Sequence, residues 1–134
     1  MIISCKNGKA HADIGSHDTW KALSSTIQVR LNTLQEQIPH AMELLTGGIC
    51  LNSHCLEAAH QFNIIRDELS KYPPDQMVFD ADDLSKKAPW GDNISPVITS
   101  CSNYFTTADG RDLLAEIVRL LCIAAYTKAD VEVR

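Results

Sequence analysis

The chain has 134 residues, enough for one domain that buries roughly two-thirds of its unfolded surface. Hydrophobic residues make up 45% and charged residues 22%, which predicts a packed core and excludes disorder. A formal net charge of −5 argues against nucleic acid as a direct partner, because phosphate binding needs a basic face, and it suits the chain to a basic protein.

Asn7-Gly8 is the strongest hairpin signal, since both residue types tolerate the positive φ of a type I′ turn. That turn sets Cys5 opposite Ala10 and Ile3 opposite Ala12. One face then collects Ile3, Cys5, Ala10, Ala12 and Ile14, and the other Ser4, Lys6, His11 and Asp13. After Gly15-Ser16 the period changes. Trp20, Leu23, Ile27, Leu31 and Leu34 recur at helical steps, with Ser16 or Asp18 as N-cap. Pro39 interrupts, and His40 to Leu45 reads as a shorter helix stopped by Gly47-Gly48. Asn52 or Ser53 is the expected cap of a third helix, with Ala58, Phe62, Ile65, Leu69 and Tyr72 inward, ended by Pro73-Pro74.

Met77-Val78-Phe79 is a strand candidate, followed by a polar turn through Asp83. Residues 89–108 read as an ordered connector. Thr106 or Asp109 is the expected cap of a last helix whose inner side is Leu113, Ile117, Leu120, Leu121 and Ala124. Val118, Cys122, Ile123 and Ala125 make the rest of it nearly apolar, which predicts a central helix. Val131-Glu132-Val133 alternates as a strand able to pair with the hairpin. The fold class is α+β: one domain over residues 1–134, about four helices packed on a small antiparallel sheet formed by the hairpin and the C-terminal strand.

Five scattered cysteines, with no apolar signal region after Met1, predict free thiols in a reducing cytosol. The apolar run from Leu113 to Tyr126 is too short for a membrane span and is broken by Glu116 and Arg119.

Cys50, His54, Cys55 and His60 are the one local cluster of metal-ligand residue types. A helix would set Cys55 and His60 about 140° apart, and no C-x-x-C pair is present, so a buried thiol and solvent-facing imidazoles are the expectation. No metal or cofactor is implied. Cys50 beside Gly47-Gly48 is the best thiol nucleophile, yet no base is identified for it and no G-x-S-x-G elbow exists. No catalytic residue is therefore assigned; a small enzyme using Cys50 or His54, or a regulatory adaptor, stand as rival readings. Asp75, Asp80, Asp82 and Asp83 form the densest acidic run without a calcium-loop frame. It reads either as a solvated turn or as an acidic patch, Asp80, Asp82 and Asp83, for a basic partner.

The connector carries the most particular words in the sequence: Pro89-Trp90-Gly91-Asp92-Asn93-Ile94-Ser95, Ile98-Thr99, Ser102-Asn103-Tyr104-Phe105 and Asp109-Gly110-Arg111-Asp112-Leu113. With Pro74-Asp75, Val78-Phe79-Asp80 and Leu84-Ser85 upstream, they resemble the signature of the immunity protein 70 family, over roughly the C-terminal half. The resemblance implies a small bacterial cytoplasmic protein of polymorphic toxin systems. Such a protein binds a cognate toxin domain one to one and needs neither cofactor nor membrane. Toxin-contacting residues vary with the toxin, so Trp90, Gly91, Asp92, Asn93, Asn103, Tyr104, Phe105, Asp109 and Gly110 read as scaffold. Trp90 is then expected to plug the core with its indole N–H on a backbone carbonyl, the alternative being an exposed interface anchor. Asp92, Asn93, Ser95 and Asn103 are expected to bond backbone groups.

Overall fold

The computed structural model describes all 134 residues, Met1–Arg134. The hairpin forms, β1 Ile2–Cys5 against β2 His11–Asp13, with Ile3 opposite Ala12. Its turn differs from expectation. Gly8 has φ +77° but Asn7 does not have a positive φ, so the turn is not type I′. The Cys5 carbonyl accepts from the Gly8 N–H, and the Cys5 N–H donates to the Ala10 carbonyl, which preserves the register. Asn7 serves the turn with its side chain: Oδ1 accepts from the Lys9 N–H, and the amide donates to Thr127 Oγ1. Ile3, Cys5, Ala10 and Ile14 are buried.

Helix α1, His17–Arg30, is capped by Ser16, whose Oγ accepts from the Thr19 N–H; Asp18 lies inside the first turn. The helix stops short of Leu34, and a 3₁₀ segment Asn32–Gln37 carries the chain to α2, Pro39–Gly47. Pro39 opens α2, where its missing N–H costs nothing, and Gly48 closes it in the left-handed conformation at φ +76°. Residues Ile49–Cys50 form β3, too short a strand to leave a periodic signal. Helix α3, Asn52–Leu69, uses neither Asn52 nor Ser53 as a cap. Asp130 does that work from the far end of the chain, accepting the Asn52 N–H at 2.7 Å, while the Asn52 amide donates to the carbonyls of Ala124 and Ala129.

Met77–Phe79 is not a strand. Thr26 Oγ1, buried on α1, accepts the Val78 N–H at 2.9 Å and donates to the Ala22 carbonyl, so a side chain holds the backbone that a ladder would have held. No helix or strand lies between 77 and 112. Helix α4, Leu113–Thr127, is capped by Asp112, not by Thr106 or Asp109, and ends at Lys128 with φ 58°. It packs mainly on α3 and also on β1, burying Leu113, Leu114, Ile117, Leu120, Leu121 and Ala124. Its opposite side is open: Cys122 is exposed and Tyr126 is 90% exposed, so it is not buried all round.

The C-terminal strand β4, Val131–Val133, pairs antiparallel with β1 and also with β3. The sheet is antiparallel in the order β2-β1-β4-β3 and the fold is α+β as expected, with the hairpin and C-terminal strand extended by β3. No helix is long and apolar enough to cross a membrane.

Candidate functional site

The connector from 77 to 112 holds its shape through side chains together with local backbone turns. Tyr72 Oη donates to the Arg30 carbonyl, Arg30 Nε to the Gln76 carbonyl, and the Cys101 N–H to the Tyr72 carbonyl. Asn103 is the main brace, as expected: Oδ1 accepts from the N–H groups of Thr99 and Ser100, and its amide donates to the Val97 carbonyl. Ser95 Oγ accepts from the Val97 N–H at 3.5 Å. The strip from Thr106 to Asp112 folds back on itself about Gly110, φ +86°, where Thr107 Oγ1 donates to Asp109 and accepts from the Arg111 N–H. The Thr107 hydroxyl holds the Asp109 carboxyl below its ordinary range. Asp92 does not brace backbone; it pairs with Lys87 at 3.6 Å across an exposed surface. Asn93 makes no hydrogen bond to protein, and Gly91 turns the chain at φ +82°.

Trp90 is not the expected core plug. It is 43% exposed, and its indole N–H donates to Tyr104 Oη at 2.8 Å rather than to a carbonyl. The ring meets Phe79 edge-on, centroids 5.7 Å apart, and Tyr104 in turn meets Phe105 at 5.1 Å. Phe79 and Phe105 are buried, so the four aromatics run from the core to the surface. Beside them opens a cleft of about 310 Å³ lined by Thr19, Trp90, Ile94, Ile98, Tyr104 and Phe105. Leu84 and Val97 on the same connector are 69% and 77% exposed.

The acidic run divides. Asp80 accepts from the Asp82 N–H and pairs with Lys21 at 3.2 Å and Lys86 at 3.9 Å, and these contacts, the backbone bond first, depress its carboxyl. Its side chain is only 13% exposed, held by those contacts against the fold. Asp82 and Asp83 remain exposed and outside any ion pair, although Asp83 accepts from the N–H and hydroxyl of Ser85.

Cys50, Cys55 and His60 do not join His54. Both thiols are fully buried, and Cys50 is pushed far above the ordinary thiol range by its hydrogen bond with the Cys55 thiol and then by burial, the opposite of an activated nucleophile. Burial likewise lifts Cys101 to about 11. His60 is exposed on α3.

His54 instead meets two residues of α2. Gln61 on α3 supplies the cap that α2 lacks, its Oε1 accepting the N–H groups of His40 and Ala41 at 2.8 and 2.9 Å, and this seats the start of α2 against α3. Glu43 then bridges two imidazoles, Oε1 to His40 Nδ1 and Oε2 to His54 Nδ1, each at 3.1 Å. The rings stack at 4.1 Å with a 27° tilt, and His40 Nε2 reaches Glu57 at 3.1 Å. Against the desolvation that would raise it, the bonds from His54 and His40 hold the Glu43 carboxyl below its ordinary value. This donor set is what sequence reasoning missed; the one available signal was His40-x-x-Glu43, a helical i, i+3 pair. Its three members are imidazoles and a carboxylate, with no hydroxyl or thiol among them.

A family model described as Immunity protein 70 matches residues 5–133, well beyond the C-terminal half that carried the resemblance. No curated protein and no solved structure matches the chain.

Proposed function

The chain belongs to the immunity protein 70 family, and we propose that it neutralises a cognate bacterial toxin domain in the cytoplasm by stoichiometric binding rather than by catalysis. The match over residues 5–133 carries this reading. We further propose the connector as the toxin-facing surface. A run this long without regular structure is commonly functional, and here side chains hold it in one shape, which lowers the entropy lost on binding. It presents a half-exposed Trp90, exposed Leu84 and Val97, and the carboxylates of Asp82 and Asp83. Aromatic anchors ringed by polar groups are what tight interfaces use, and unpaired carboxylates speed encounter with a basic partner.

Neutralisation should titrate to one equivalent of this chain per toxin domain. The variant Asp82→Lys with Asp83→Asn, which keeps the oxygen that Ser85 bonds, should slow association and flatten its dependence on salt. Protection well below one equivalent would discard binding in favour of turnover. Association rates equal to wild type at every ionic strength would remove the two aspartates from the interface.

A further inference from the structure

We propose that His40 Nδ1, His54 Nδ1 and the Glu43 carboxylate form a binding site for one divalent ion of the zinc type, tying α2 to α3. The three side chains present ligand atoms that all lie within 4.8 Å of one another. Two imidazole nitrogens and one carboxylate oxygen match the ligand set of three-residue zinc sites, whose fourth position water fills. Magnesium and calcium, which take oxygen ligands, fit poorly. Tetrahedral ligands about 2.0–2.1 Å from zinc lie roughly 3.3 Å apart. Each Nδ1 lies 3.1 Å from a Glu43 oxygen, His40 from Oε1 and His54 from Oε2, so whichever oxygen ligates already sits near that spacing from one imidazole, and a turn of the carboxylate brings it toward the other.

The second observation is Glu57. Histidine ligands of metals commonly give their other ring N–H to a carboxylate, which fixes tautomer and orientation. His40 Nε2 faces Glu57 Oε2 at 3.1 Å in that arrangement, leaving Nδ1 for the ion. Carboxylates only accept, so in the ion-free cluster the Nδ1 atoms donate to Glu43; ligation needs each Nδ1 as a lone pair, with the one proton each ring keeps carried on Nε2. The stacked rings must also rotate so that their lone pairs converge. His54 and Glu43 have side chains 34% and 43% exposed, which permits that rotation and lets an ion enter.

The test is calorimetric titration of the full chain with Zn²⁺ near neutral pH under a non-chelating reductant. One ion should bind per chain. His40→Ala, His54→Ala and Glu43→Gln should each abolish binding, Glu57→Gln should weaken it roughly 10–100-fold, and His60→Ala should leave it unchanged. Circular dichroism checks that each variant folds. Substituted Co²⁺ should show d–d absorption without thiolate charge transfer. Absence of Zn²⁺ uptake by the wild type, uptake retained by the His40→Ala/His54→Ala pair, or a thiolate signature would each overturn the site. Toxin neutralisation is not a readout here, so the outcome is independent of the proposed partner.

Discussion

Replacing Trp90 with alanine separates a packing role from an anchoring one, because the structure bounds the first. A fully buried tryptophan covers about 150–250 Å², and with 43% of Trp90 exposed roughly half of that is withdrawn from water. At about 25 cal/mol per Å² the covered part is worth at most about 3 kcal/mol, and the compact unfolded state and the surviving Cβ reduce this to roughly 1–2 kcal/mol. The lost bond to Tyr104 Oη adds less than about 1 kcal/mol, since water can reach that partly exposed phenol. The melting temperature should therefore fall by roughly 3–8 °C, well short of the drop that about 3–5 kcal/mol for a buried aromatic would give. If the indole anchors the toxin, its removal should cost at least about 2 kcal/mol of binding, some 30-fold in Kd. Trp90→Phe, which keeps the edge contact with Phe79 and drops the donor, should fall between. Denaturant melts and calorimetry on the same samples decide it. A stability loss above about 4 kcal/mol would refute the packing estimate, and an unchanged Kd would take Trp90 out of the interface.

Thr26→Val keeps shape but strands the buried Val78 N–H, and should cost about 1–3 kcal/mol in urea unfolding. Asp80→Asn should remove a contribution that is complete above the ordinary carboxyl value of 3.8 and lost as pH falls through the depressed folded value. The stability gap between wild type and variant should hold near neutrality and close in acid; a gap that widened in acid would reverse the sign. Of the five cysteines, only Cys122 is exposed, so a thiol reagent should label one equivalent quickly on the native chain and the rest only on unfolding. Fast labelling of Cys50 would revive the nucleophile reading.

The elements legible in the sequence are those whose signal is local. The hairpin register, the Ser16 cap, the Pro39 start of α2 and the inward stripes of α3 and α4 each follow from residues a few positions apart. What escaped is held by partners far along the chain. Asp130 caps a helix that starts at Asn52, Gln61 caps one that starts at Pro39, and Thr26 occupies the Val78 N–H that would otherwise have marked a strand. His54 reads as a neighbour of Cys50 and Cys55 in sequence, yet α3 turns it toward α2 while the thiols face the core. Trp90 was misplaced for a similar reason. A buried indole is the commoner state, but only the fold places Tyr104 where its hydroxyl satisfies the N–H at the surface.

The construction of the connector separates what must be kept from what is free to change. The side chains of Asn103, Thr107 and Tyr72 satisfy the backbone from within, and no buried side-chain polar atom is left without a partner. Truncating Asn103 or Thr107 strands backbone N–H donors, and truncating Tyr72 leaves the Arg30 carbonyl without its phenol donor, so these positions are restricted by the local backbone. Leu84, Val97 and Asp82 stand under no such restriction, being exposed with side chains that make no hydrogen bond or ion pair. A frame braced in this way lets the outward side chains be exchanged while the main chain keeps its course. Under the proposal that the connector is the toxin-facing surface, that division would place affinity in the braced shape and specificity in the exchangeable residues it displays.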